Sequence, residues 1–169
     1  MALEYSTALK NRLLGGGAGE DDLKSIFANG YIVIYNNSTV PSADSTSPGT
    51  VLAVIATKGA TPGAGNGLDL ASASGGTISK DSDTWGVAGD FNSGNADNAG
   101  ALPATHFRLI PDNSYTGSAG VQTGAAADGA SAIRIQGTCG GTASADLILA
   151  PAVPTDDAPL DIAGFTLYL

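Results

Sequence analysis

The chain is short of most of the residues that carry chemistry. Its 169 residues include one cysteine, one histidine and one tryptophan, and its seven Lys and Arg stand against sixteen Asp and Glu. A lone Cys139 can neither close an intrachain disulfide nor build a cysteine-based zinc site by itself. Seven scattered cations under a net charge of −9 do not make the basic surface that gripping phosphate backbones requires, so no nucleic-acid partner is expected. No apolar run approaches the ~18 residues of a membrane span, and Met1 is not followed by a basic and then apolar leader. No membrane partner is expected either. General acid–base catalysis draws mostly on His, Glu and Lys, yet the only acids other than Asp are Glu4 and Glu20.

What is abundant is glycine, at 24 residues, together with Asp, Ser, Thr and Asn. Short polar side chains bond to nearby backbone and tolerate left-handed conformations, so this mixture is turn chemistry. The composition implies a β-rich structural or binding module of one domain, with a helical arm at residues 1–29 and a β domain over 30–169.

Within the arm, Ser6 is placed to cap a short helix over Thr7 to Leu14, with Leu9 and Leu13 one turn apart on one face. Lys10 and Arg12 lie towards its end, where cations suit the macrodipole, and Gly15 to Gly17 stop it. Glu20, Asp21 and Asp22 open a second helix carrying Leu23, Ile26 and Phe27, and Asn29-Gly30 ends it. Neither helix is long enough to be stable alone. Each must lean on its own β domain or on another subunit, which makes Leu9, Leu13, Leu14, Leu23 and Phe27 the candidate interface.

Beyond Gly30 the pattern changes. Tyr31–Tyr35 and Val51–Ile55 are continuous apolar runs, as in strands covered on both faces. Leu68–Leu70, Thr77–Lys80, Trp85–Val87, His106–Ile110, Ala132–Gln136, Asp146–Leu149 and Phe165–Leu169 are shorter. In these, alternation places Phe107 and Leu109 on one side and turns Ile133 and Ile135 inward, with Arg134 and Gln136 outward. Short strands separated by Gly, Pro and Asp breaks predict an all-β fold, a two-sheet sandwich of jelly-roll or Greek-key type. Two long excursions, 86–103 and 111–131, contain too little apolar side chain to offset the ~1–2 kcal/mol cost of ordering each residue.

The chemical candidates are few. His106 alternates with Arg108 in a strand and reads as a solvent-facing or interface side chain, and no G-x-S-x-G elbow accompanies it. Cys139 sits in a Gly-rich turn with no cation beside it to activate the thiol. Gly63–Gly67 has the wrong spacing for a dinucleotide loop. Asp90–Asp97 and Asp81–Asp83 offer alternate oxygens without the glycine and glutamate of a calcium loop. Asn36–Thr39 holds overlapping glycosylation sequons. No catalytic residue, cofactor site or metal site emerges, and the chain is not expected to be an enzyme. A carbohydrate-binding sandwich or small hydrolase is a weaker alternative, with Tyr115 or Trp85 as a sugar platform.

The order of features resembles a family of small tailed-bacteriophage virion proteins. The similarity runs through Ser6-Thr7-Ala8-Leu9 to Leu13-Leu14, Phe27-Ala28-Asn29-Gly30 into Tyr31–Tyr35, Pro41-Ser42-Ala43-Asp44 and Gly49-Thr50-Val51-Leu52. It continues with Asn66-Gly67-Leu68, Ile78 followed by Trp85, Arg134 to Thr138, Ala145 to Leu149 and Phe165-Thr166-Leu167. The excursions at 86–103 and 111–131 are longer than that pattern. The resemblance implies a capsid decoration (cement) protein on the capsid exterior of a virion, made in a bacterial host cytoplasm. It implies the major capsid protein as partner and a homo-oligomer, with a trimer favoured. A tail, baseplate or fibre component is the alternative from the same likeness.

Overall fold

A computed structural model describes residues 3–14, 22–57, 66–83, 85–87, 102–111, 132–142, 144–149, 161–162 and 164–168. The expected excursions at 86–103 and 111–131, apart from their ends, lie outside the described residues, as do the Gly15–Gly17 stop, Glu20, Asp21, Asp90–Asp97 and all of the Gly63–Gly67 run except its last two residues.

The described chain is mostly β with antiparallel sheets. In order it forms β1 (Glu4–Tyr5), α1 (Thr7–Leu13), α2 (Leu23–Ile26), β2 (Tyr31–Asn36), β3 (Thr50–Thr57), β4 (Thr77–Ser79) and β5 (Trp85–Val87). It continues with β6 (His106–Ile110), β7 (Ile135–Gly140), β8 (Leu147–Ile148), β9 (Asp161–Ile162) and β10 (Thr166–Tyr168). One large sheet runs in the order β1-β7-β6-β2-β3-β5-β9, with β8 pairing β7 in parallel, and β10 and β4 form a separate two-stranded ribbon. The two-residue strands β1 and β9 carry no periodic signal, and tertiary pairing alone defines them. The Leu68–Leu70 segment, expected as a strand, forms none. It makes single bridges from Leu68 to Gly30 and from Leu70 to Lys80, and both leucines are buried.

The strongest β-formers lie in the middle of the sheet. β2 pairs with β3 and β6 together, so all five residues from Tyr31 to Tyr35 are fully buried. Their side chains alternate between two faces. Ile32 and Ile34 join the larger core with Ile55, Phe107, Leu109 and Ile135. Tyr31, Val33 and Tyr35 join a second cluster with Val54, Ala56 and Ile110. Between Ile34 and Tyr35 the register with β3 skips Leu52, a bulge that turns this residue into the first core as well.

The helices and the ribbon contribute to the first core. Leu9, Leu23, Ile26 and Phe27 are part of it, as are Ile78, Phe165 and Leu167. Phe165 meets Phe107 edge-on at 5.9 Å and lies 5.7 Å from the Trp85 ring. Fully burying each side chain of this size contributes roughly 1.5–3 kcal/mol. The described part of the arm therefore packs on its own domain.

Local chemistry explains the helix starts. Ser6 Oγ accepts the N–H of Leu9, and Asp22 caps α2 through the N–H of Ser25, each satisfying a donor the helix cannot. Two tight backbone positions fix the rest. Gly75 and Gly76 both adopt positive φ (61° and 79°) in the turn where Ser74 and Thr77 exchange hydrogen bonds, the arrangement of a two-residue primed hairpin. At Gly67, a Cβ would stand 1.9 Å from the Asn29 carbonyl oxygen. Gly67→Ala is therefore expected to destabilise the fold by at least about 1–3 kcal/mol, as overpacking does. Gly140→Ala, where a Cβ meets nothing within 4 Å, should shift the urea midpoint far less, and equal midpoints for the two variants would contradict this account.

Candidate functional site

Four polar side chains of β6, of β7 and of the residue before β7 are withdrawn from solvent. His106, Arg108 and Arg134 are fully buried and Gln136 is 1% exposed. This corrects two expectations of the sequence, the outward Arg134 and Gln136 and the solvent-facing His106. For Arg108, Arg134 and Gln136 the reason is a segment distant in sequence, Pro41–Ser45, whose carbonyl oxygens accept the hydrogens of these three side chains, whereas His106 is covered by the Tyr35 ring.

Arg108 Nε donates to Gln136 Oε1 at 2.8 Å, and its Nη2 donates to the carbonyls of Ser42 (3.3 Å) and Ser45 (3.0 Å). Arg134 donates through Nε to the carbonyl of Ala43 and through Nη2 to that of Ser45 at 3.3 Å. Gln136 Nε2 donates to the carbonyl of Pro41. Tyr35 adds its ring face, 5.8 Å from the Arg108 guanidinium carbon. Burying a charge is costly unless hydrogen bonds satisfy it, and these carbonyls supply that satisfaction.

The same strap is held from its other side by the arm. Glu4 Oε2 accepts the N–H of Ala43 at 3.0 Å. Asp44 accepts both the N–H and the hydroxyl of Thr7 at 2.7 Å, and these bonds, with the nearby Arg134 and Lys10, hold its carboxyl below the usual range. Ser6 Oγ also accepts the N–H of Arg134 at 3.1 Å. The first turn of α1, the strap and the start of β7 thus form one network. The donors named here are all directed at groups of the protein itself, main-chain carbonyls and the side chains of Glu4, Ser6, Asp44 and Gln136, so the network acts as a clamp.

His106 ends this face. Its ring stacks on Tyr35 with centroids 5.2 Å apart and planes 13° apart. Its Nδ1 lies 3.1 Å from Thr105 Oγ1, and its Nε2 is buried with no hydrogen-bond partner among the described residues. Burial, with the positive Arg108 nearby, pushes its pKa down to about 4. The ring is therefore neutral at pH 7. Cys139 is buried as well, and burial pushes its thiol up to about 12, which leaves it inert. Trp85 is fully buried and is no sugar platform, and Tyr115 lies outside the described residues. Asp81 Oδ1 accepts the N–H of Asp83 in a local turn, and no group of three metal-ligating side chains occurs among the described residues. Within the sequons, the Asn36 and Asn37 amides donate to the carbonyls of Pro103 and Pro48.

The structure divides the candidate interface. Leu9, Leu23 and Phe27 are buried in the chain's own core, whereas Leu13 is 37% and Leu14 85% exposed. Leu13 lines a largely apolar groove of about 470 Å³ between the arm and the ribbon, with Leu23, Ala73 and Ile78, and exposed Asp22 and Lys24 line it too. Gly76 and Thr77 of the hairpin turn line the groove too, a role of that turn which the sequence does not announce.

Two measurements test the clamp. Arg134→Met keeps the aliphatic stem but removes the guanidinium, and chemical denaturation should show a loss of at least about 1.5–3 kcal/mol, the range for one hydrogen bond to a charged group. For His106, the folded pKa of about 4 lies below the unfolded value of about 6.5, so the unfolded state binds the extra proton between them. Stability should then be full above pH 6.5 and fall as pH drops towards 4, by up to about 3 kcal/mol at ~1.4 kcal/mol per unit. His106→Phe should flatten that slope, and an unchanged slope would refute the assignment. No family model matches the chain, and no curated protein or solved structure matches it.

Proposed function

We propose that this chain is a structural component of a bacteriophage virion, a decoration protein that binds the capsid exterior and stabilises the lattice of the major capsid protein. The observation that carries the reading is the outward end of α1. Leu13 lines a largely apolar groove and Leu14, the next residue, is 85% exposed, and apolar surface of this kind supports an assembly contact. The described polar side chains near the middle of the sheet meanwhile bond to the protein's own backbone. The ordered set of sequence features shared with small phage virion proteins supplies the particle.

The finer fold reading belongs to the same proposal. In the large sheet β6 lies beside β2, and β3 and β5 follow on the other side. This order is compatible with a Greek key, in which a fourth strand returns beside the first, with β4 leaving the sheet between β3 and β5. It supports a jelly-roll or Greek-key sandwich in which the β10–β4 ribbon belongs to the second sheet.

The arm cannot be removed to test the reading, because Ser6, Leu9 and Phe27 are part of the fold. The test is stoichiometry. Quantitative mass spectrometry of purified particles should find the chain at a copy number comparable with that of the shell subunit. A copy number matching a single ring or fibre would assign it to the tail instead, and absence from particles would overturn the virion reading.

A further inference from the structure

The sequence contains two Asn-Gly pairs, Asn29-Gly30 and Asn66-Gly67, and the fold sets them against each other. Gly30 and Leu68 exchange main-chain hydrogen bonds at 3.2 and 2.7 Å. Gly67 lies so close to Asn29 that a Cβ on it would stand 1.9 Å from the Asn29 carbonyl oxygen. An asparagine followed by glycine is open to attack on its side-chain amide by the next main-chain nitrogen, because glycine has no side chain to hinder ring closure. The structure treats the two pairs differently.

At the first pair the nucleophile is committed. The Gly30 N–H donates to the carbonyls of Phe27 at 3.0 Å and Leu68 at 3.2 Å, and both bonds must break before its nitrogen reacts. Asn29 is partly buried, and its own N–H donates to Asp69 Oδ1 at 3.0 Å. At the second pair Asn66 is exposed, which admits water and hydroxide. Gly67 is buried, yet its N–H has no acceptor among the described residues, so it gives up no hydrogen bond there when it loses its proton. The carbonyl of the same peptide, that of Asn66, accepts the N–H of Thr57 at 3.2 Å. Peptide resonance spreads the charge of a deprotonated nitrogen onto that oxygen, and a fixed donor stabilises it, as in an oxyanion hole.

We infer that Asn66 is a site of spontaneous main-chain modification, at which the Gly67 nitrogen displaces the side-chain amide and the junction becomes isoaspartate. Hydroxide takes the Gly67 proton, the nitrogen bonds to Asn66 Cγ, and the Cγ–Nδ2 bond breaks, so that ammonia leaves and a succinimide ring remains. Water then adds to a ring carbonyl. Opening at Cγ leaves an ordinary aspartate, whereas opening at the main-chain carbonyl leaves isoaspartate, whose main chain runs through Cβ and Cγ. Both products add a negative charge, and the second also lengthens the chain by an atom where there is little room. Thr57 fixes both sides of the position, its N–H on the Asn66 carbonyl and its Oγ1 on that of Gly67 at 2.9 Å. The modification therefore loosens the junction between the end of β3, the turn after α2 and the segment leading to β4. This inference stands apart from the virion reading and does not depend on it.

The test incubates the folded, full-length chain at mildly alkaline pH and maps its peptides by mass spectrometry, with electron-transfer fragmentation to tell isoaspartate from aspartate. Asn66 should convert at least roughly tenfold faster than Asn29, the rate effect of one committed hydrogen bond, and its rate should rise in proportion to hydroxide. In urea, where the Gly30 bonds are gone, the two sites should convert at similar rates. Chains with isoaspartate at position 66, enriched by ion exchange through the added charge, should unfold at lower urea than fresh chain. Asn66→Asp, which carries the same charge on a normal main chain, should keep the parent midpoint. Equal rates at the two sites in the folded chain, or no conversion at Asn66 while the unfolded chain converts at both, would overturn the site. Isoaspartate chains as stable as Asn66→Asp would overturn the loosening of the junction.

Discussion

The bonds from Arg108 and Arg134 to the carbonyls of Pro41–Ser45 are the constraint on which the rest of the architecture depends. Two of the chain's few cations sit fully buried on the sheet, a placement that would be prohibitive without partners. The strap provides those partners, and in exchange the strap, which has no strand or helix of its own, is fixed in one conformation. Thr7 and Glu4 hold its far side. The arm, the strap and the middle of the sheet therefore order one another. Breaking a network of this kind leaves buried charge behind, whereas an apolar replacement of the whole set costs much less, so its value lies in specifying one arrangement.

Among the described residues the usual reactive groups are committed to the fold. The chain's one imidazole is buried against Tyr35 and held neutral, its one thiol is buried and held protonated, and two of its guanidiniums are committed to backbone. At the end of α1, Leu13 and Leu14 are exposed, near a groove that exposed Asp22 and Lys24 also line.

Much of the fold was legible residue by residue. The Ser6 cap, the span of α1, the continuous apolar runs of β2 and β3, and the inward Phe107, Leu109 and Ile135 all follow from local propensity and period. The site was less legible. Leu9, Leu13, Leu14, Leu23 and Phe27 read alike as apolar residues of marginal helices, and periodicity does not tell a leucine that packs on its own sheet from one that projects past a helix end. The clamp was missed because Pro41-Ser42-Ala43-Asp44 reads as an ordinary turn. The one available signal was the presence of arginine at the centre of two strands in a chain so poor in cations.

The amino-acid sequence determined the class of structure, since turn residues and β-branched runs act locally. Tertiary structure decided which polar residues are buried and which leucines are not. Alternation assigns a side chain to a face of a sheet, but what covers that face arrives from residues far along the chain. Arg134 is a core residue only because the Ala43 carbonyl, some ninety positions earlier, lies over it.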